Sequence, residues 1–199
     1  MNPRPLFVAA LLAALPAPSL AQAGSGPELA PAEAEAYQMG LEMTFVCNPS
    51  RHRTMTTISS SSISRPAGTL PGTAVFLRSA EGTFLVLEGY DEQMAGHCMV
   101  LAWFGGELEP GRYPIRRLAM DTMEEEVAAP THSFFTLGAV RSPDESSVLV
   151  ADSGSLSLDS VDSGTVKGSF DVTGFVVEGG ARTDGVTWQG TFTALERDP

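Results

Sequence analysis

Ser163 to Leu195 reads SGTVKGSFDVTGFVVEGGARTDGVTWQGTFTAL, and its alternation decides the fold class. Val166, Gly168, Phe170 and Val172 fall on one face of the first half, with Thr165, Lys167, Ser169, Asp171 and Thr173 on the other. In the second half Val186, Trp188, Gly190, Phe192 and Ala194 lie opposite Thr187, Gln189, Thr191 and Thr193. Side chains alternate across a strand, so a period of two marks a strand with one dry and one wet face. Between the runs stand Gly179-Gly180 and Asp184-Gly185, turn residues able to take positive φ. The stretch is a β-hairpin in an antiparallel sheet. Each run places a Gly two residues before a Phe on its apolar face, and a Phe lying across the partner's Gly fills the gap left by the missing side chain. A register in which paired numbers sum to 360 does this twice, setting Phe170 opposite Gly190 and Gly168 opposite Phe192. It also sets Glu178 opposite Arg182, around a three-residue loop Gly179-Gly180-Ala181. Phe175 interrupts the alternation and marks a candidate bulge.

Upstream the pattern stays β-like. TAVFL (73–77) and TFLVL (83–87) predict a hairpin, and HCMVLAWF (97–104) a further strand. Their apolar residues run nearly without break, which predicts strands covered on both faces. Leu41 to Cys47, Thr54 to Ser64 and His132 to Leu137 add shorter strand signals, the second of them fitting a polar edge strand or a loop. Val148 to Ala151 and Ser155 to Leu158 read as one strand interrupted at Asp152-Ser153-Gly154. The fold class is all-β: an antiparallel β-sandwich of about 8–10 strands, or alternatively a β-barrel. At most one short helix is expected, near 119–129, where Met120, Met123 and Val127 recur at helical spacing.

The beginning of the chain sets the compartment. Residues 1–23 have the form of a secretory signal peptide: Arg4, an apolar run from Phe7 to Leu15, then small residues up to Ala23. Residues 24–36, rich in Ala, Pro and Glu, predict a disordered leader, with one helical turn at Pro31 to Ala36 at most. Residues 37–199 then form a single all-β domain. The expected location is extracytoplasmic, periplasmic or secreted, with no membrane insertion after cleavage, since no later run reaches the ~20 apolar residues of a membrane helix. Twelve basic residues face 24 acidic ones. That balance argues against nucleic acid as a partner, because phosphates would be repelled. Cys47 and Cys98 are the only cysteines. In an oxidising compartment they predict one disulfide, worth about 4 kcal/mol in the chain-entropy account.

Pro110-Gly111-Arg112-Tyr113-Pro114-Ile115 is followed by Ser153-Gly154-Ser155-Leu156-Ser157-Leu158, by Gly164-Thr165-Val166-Lys167-Gly168-Ser169-Phe170 and by Gly190-Thr191-Phe192. In this order the motifs resemble a loosely defined group of bacterial secreted or lipoprotein domains of unknown function. The resemblance implies an all-β fold and carries no activity and no functional residues. The chain departs from the group in having no lipid-accepting Cys behind its signal.

No motif selects a chemistry. His52, His97 and His132 lie far apart and outside any zinc pattern. The serines of Thr54 to Ser64 lack the strained turn and the base that a nucleophile needs. Asp152, Asp159, Asp162 and Asp171 sit beside turns or on wet faces, and Arg51-His52-Arg53 and Glu124-Glu125-Glu126 read as solvated. We expect no catalytic residues, cofactor or metal. The leading expectation is a non-enzymatic secreted β-domain with a binding or structural role at the cell envelope; the sequence names no partner, and an envelope protein or a small apolar ligand are the candidates. A barrel carrier of a small apolar ligand is the alternative, motivated by Phe84, Trp103, Phe104, Phe134, Phe135 and Trp188. A hydrolase using a Ser or carboxylate with one His is the third reading.

Overall fold

The computed structural model describes residues 29–31, 33–38, 60–65, 68–78, 82–90, 96–117, 129, 132–141 and 146–197. The predicted strand at 41–47, the helix near 119–129, Cys47, His52 and Glu124 to Glu126 lie outside the described residues. Among the described residues nine strands follow in chain order: β1 (Ser60–Arg65), β2 (Gly68–Arg78), β3 (Thr83–Tyr90), β4 (Gly96–Trp103), β5 (Gly111–Arg117), β6 (Phe134–Arg141), β7 (Ser146–Asp162), β8 (Thr165–Glu178) and β9 (Ala181–Arg197). The protein is all-β. Its strands form one sheet in the order β1-β2-β3-β4-β6-β5-β7-β8-β9, and β1 pairs with β9 to close the ring. A closed ring of pairings, and not two stacked sheets, is thus how the strands bury their apolar faces. Two short parallel pairings, β2 with β9 and β5 with β6, make the ring mixed.

β7 serves two neighbours in succession. Its first residues pair with β6, from Arg141 opposite Ser146 to Leu137 opposite Val150. Its later residues pair with β5, from Arg116 opposite Ser153 to Gly111 opposite Leu158. The interruption read at Asp152 is a bulge inside one 17-residue strand, and a second register shift follows Leu158. Each bulge adds one residue, which moves the inward set from odd to even numbers and back. Hence Leu149 and Ala151, then Leu156 and Leu158, then Val161 all meet the same inner core.

The β8–β9 hairpin carries the expected register from Thr165 opposite Leu195 to Gly174 opposite Val186. Phe170 faces Gly190 and Gly168 faces Phe192. A Cβ built on Gly190 would stand 2.9 Å from the Phe170 ring and 1.8 Å from the Ser62 carbonyl oxygen. The glycine therefore admits both a ring from β8 and the close approach of β1. Nearer the turn the expectation fails by one residue. Phe175 faces Asp184, Val177 faces Arg182 and Glu178 faces Ala181. Gly185, at φ 69°, is the extra residue of a bulge in β9, and it removes one residue from the loop. Gly179 and Gly180, at φ 54° and 78°, remain as a two-residue turn with both angles positive, the form whose twist suits a hairpin.

The ring interior is filled by side chains of every strand. Phe76, Leu85, Leu87, Met99, Leu101, Phe134 and Leu149 are fully buried there, with Trp103, Phe170, Trp188 and Phe192 nearly so. At one end Trp103 stacks on Phe134 at 5.0 Å and meets Tyr113 edge-on at 5.0 Å. The indole N–H of Trp103 donates to the Gly106 carbonyl at 3.1 Å, and the Tyr113 hydroxyl donates to the Glu109 carbonyl at 2.7 Å. Gly190→Ala forces a methyl against a carbonyl oxygen and a ring. It should destabilise the protein by about 1–3 kcal/mol, read from urea unfolding midpoints. An unchanged midpoint would mean that β1 does not approach β9 this closely.

Candidate functional surface

The outer wall of the ring has a dry part and a wet part. Ala102 and Phe104 beside β4, Phe135 and Leu137 on β6, Val148 and Val150 on β7 and Phe175 and Val177 on β8 form a second buried cluster outside the ring. Phe175 thus continues the outward-facing set of β8, at the point where that face turns from wet to dry. What covers part of this wall is a short helix, α1, whose described residues are 31 and 33–38. Ala36 is fully buried against the cluster, and Leu29 and Tyr37 pack beside it. The helical turn allowed for at Pro31 to Ala36 is thus present, continues to Gln38 and is docked on the wall. Its composition is poor in apolar groups, but a few well-spaced ones suffice when the sheet supplies the rest of the core.

Local chemistry starts the helix. Pro31 occupies the first helical position, where its missing N–H costs nothing. The Ala30 carbonyl accepts from the amides of Glu33 and Ala34, both at 2.9 Å. Glu33 reaches back to accept from the Ala30 amide at 3.0 Å, which is half of a capping box. The same carboxylate accepts from Arg182 of β9 at 2.9 Å and from Arg117 of β5 at 3.5 Å. Arg117 also donates to Asp152, and Arg182 to Asp184 at 2.8 Å. The Arg182 guanidinium lies 3.9 Å from the centre of the Phe175 ring, which fixes it over the apolar wall. The Ala30 amide first, then Arg182, hold the Glu33 carboxyl below the usual carboxylate range against its own desolvation. Arg182 is pushed above the usual arginine range by its bonds to Asp184 and Glu33.

Other outward residues are short and polar. Ser62, Thr191, Ser169 and Ser157 stand in one row across β1, β9, β8 and β7. Gln189, Asp171 and Ser155 form the next row, and Thr187, Thr173 and Ser153 the one after. Thr173 and Thr187 share a hydrogen bond of 3.2 Å, and Ser64 bonds Thr69 at 2.8 Å. Ser155 accepts from Arg112 at 3.2 Å.

The aromatic residues read as lining one barrel cavity are divided by the wall. Trp103, Phe134 and Trp188 face in; Phe104, Phe135 and Phe84 face out. His132 is exposed, at φ 55°, with its ring 5.6 Å from Trp103. Asp159, Asp162 and Asp171 are exposed. Among the described residues no three His, Cys, Asp or Glu side chains come together as metal ligands. Cys98 is buried on β4, 2% exposed, and no cysteine among the described residues is free. Also among them, no helix is long and apolar enough to cross a membrane. Glu33, Arg117 and Arg182 were not singled out by sequence, although Pro31 with Glu33 two residues on was a legible helix start. No family model, curated protein or solved structure matches the chain.

A carboxyl group held low in the folded state stabilises above its unfolded range and loses that contribution as pH falls through the folded value. Glu33→Gln keeps an acceptor for the Ala30 amide but loses the charge facing Arg182 and Arg117, and should lower the melting temperature at pH 7 by the equivalent of about 1 kcal/mol. The gap between variant and wild type should shrink as pH drops below ~4. A gap independent of pH would show that the carboxylate charge does not hold α1.

Proposed function

We propose that the protein is a non-enzymatic secreted β-domain with a binding or structural role at the cell envelope. The supporting observation is the division of labour in the wall. The inside of the ring is occupied by its own large side chains, whereas rows of hydroxyls across β7, β8, β9 and β1 face solvent. Such a face offers many modest hydrogen bonds to an extended partner. The bacterial secreted β-domains that the motifs resemble belong to this reading, as do signal cleavage near Ala23 and a disulfide between Cys47 and Cys98. Burial of Cys98 on the outer wall suits such a tether.

Retention of the purified mature chain on a washed envelope fraction tests the role. Wild type should sediment with it, and Ser169→Lys with Thr191→Lys should reduce retention about tenfold while the melting temperature stays within a few degrees. Unimpaired retention of that variant moves the contact off the hydroxyl face. Micromolar uptake of an apolar fluorophore, or turnover of ester or glycoside substrates, would replace the reading altogether. A thiol assay on denatured, unreduced protein should find no free thiol, and two thiols would remove the disulfide.

A further inference from the structure

The dry part of the outer wall is a groove shaped for a helix. Its floor is Phe104, Phe135, Leu137, Val150 and Phe175. Arg117 from β5 and Arg182 from β9 converge above it on one carboxylate of the helix that lies there. Among the described residues the strand pairings that close the ring run from Ser60 to Arg197, and α1 takes part in none of them. A helix this short is marginal in water, so the groove holds α1 and not the reverse. A bare apolar groove would be a liability in a secreted protein, which gives the chain a reason to carry its own occupant.

We propose that this groove is an acceptor site for an amphipathic helix of a partner protein, one with a carboxylate in its first turn, and that α1 is its displaceable internal occupant. The inference rests on the binding role above and assigns it a site. Charge complementarity identifies the partner. The paired guanidinium groups select an acid at the helix start, where the helix dipole also favours negative charge. The apolar floor selects small and aromatic residues one turn apart. The tethered α1 competes at an effective concentration of about millimolar, so an incoming helix gains access in proportion to the fraction of time α1 is undocked.

The probe is a fluorescein-labelled synthetic peptide of residues 27–40, titrated by anisotropy against the full mature chain. Glu33→Gln in the chain loosens its own helix, so this variant should bind the probe at least about tenfold more tightly than wild type does. Adding Arg182→Ala to that chain, or Glu33→Gln to the probe, should abolish the gain. A cooperatively melting Glu33→Gln chain that binds no better than wild type overturns the proposal, as does a Gln-bearing probe that binds as well as the Glu-bearing one. Hydrogen exchange on wild type provides a readout that needs no variant. Residues 33–38 should exchange orders of magnitude faster than β8, and protection equal to β8 would make α1 a fixed part of the core. If the probe fails while envelope retention persists, the envelope role stands and the groove is excluded. If retention fails while the probe binds, the groove stands and the hydroxyl face is excluded.

Discussion

Six residues of β1, Ser60–Arg65, decide what kind of object the sheet is. They pair with β2 on one side and with β9 on the other, and so complete along Gln189 to Thr193 a ring that β2 and β9 close directly only where Val75 to Leu77 meet Leu195 to Arg197. Closure removes the unpaired N–H and C=O groups that would otherwise invite aggregation. It also fixes the interior, since a ring of given strands encloses a space that side chains must fill without remainder. Ile63 of β1 is fully buried in that core; Ser62 and Ser64 face out. The strand is thus cheap in apolar residues and depends on Gly190 to come close enough to bond.

The bulges follow from the same constraint. A long strand that passes from one neighbour to another around a closed wall must change direction, and an inserted residue supplies the bend. β7 does this at Asp152, and Arg117 bonds the displaced carboxylate. β9 does it at Gly185, which carries Asp184 to Arg182 and Arg182 to Glu33. Irregularities in two strands thereby build the clasp for α1. The outer apolar surface is the other side of the same sheet; α1 buries part of it, and β4 and β6 carry apolar residues on both faces there.

The hairpin was legible because its information is local: alternation gives the faces, and the two Gly–Phe pairs give the register. Its turn was not, because Gly185 suits a turn and a bulge equally and only the wall's curvature chooses. The double burial of TFLVL and HCMVLAWF was legible as such, but not its agent. Glu33 lies 84 residues from Arg117 and 149 from Arg182, and nothing within Pro31 to Gln38 announces partners so distant. Composition made that segment look disordered, and tertiary contacts overrode it. The aromatic side chains showed a core without showing that the wall would run between them.

Closure of the ring is the claim on which the inner core, the hydroxyl rows and the clasp all rest. Residue-resolved hydrogen exchange of the amides of β1 and of the β9 segment that faces it, Gln189 to Thr193, tests it most directly. A closed ring predicts that the hydrogen-bonded amides of β1 exchange as slowly as those in the centre of β8, through global unfolding alone. Exchange of β1 within the first seconds, with β8 still protected, would show that β1 does not close the sheet against Gln189 to Thr193 and would contradict the account.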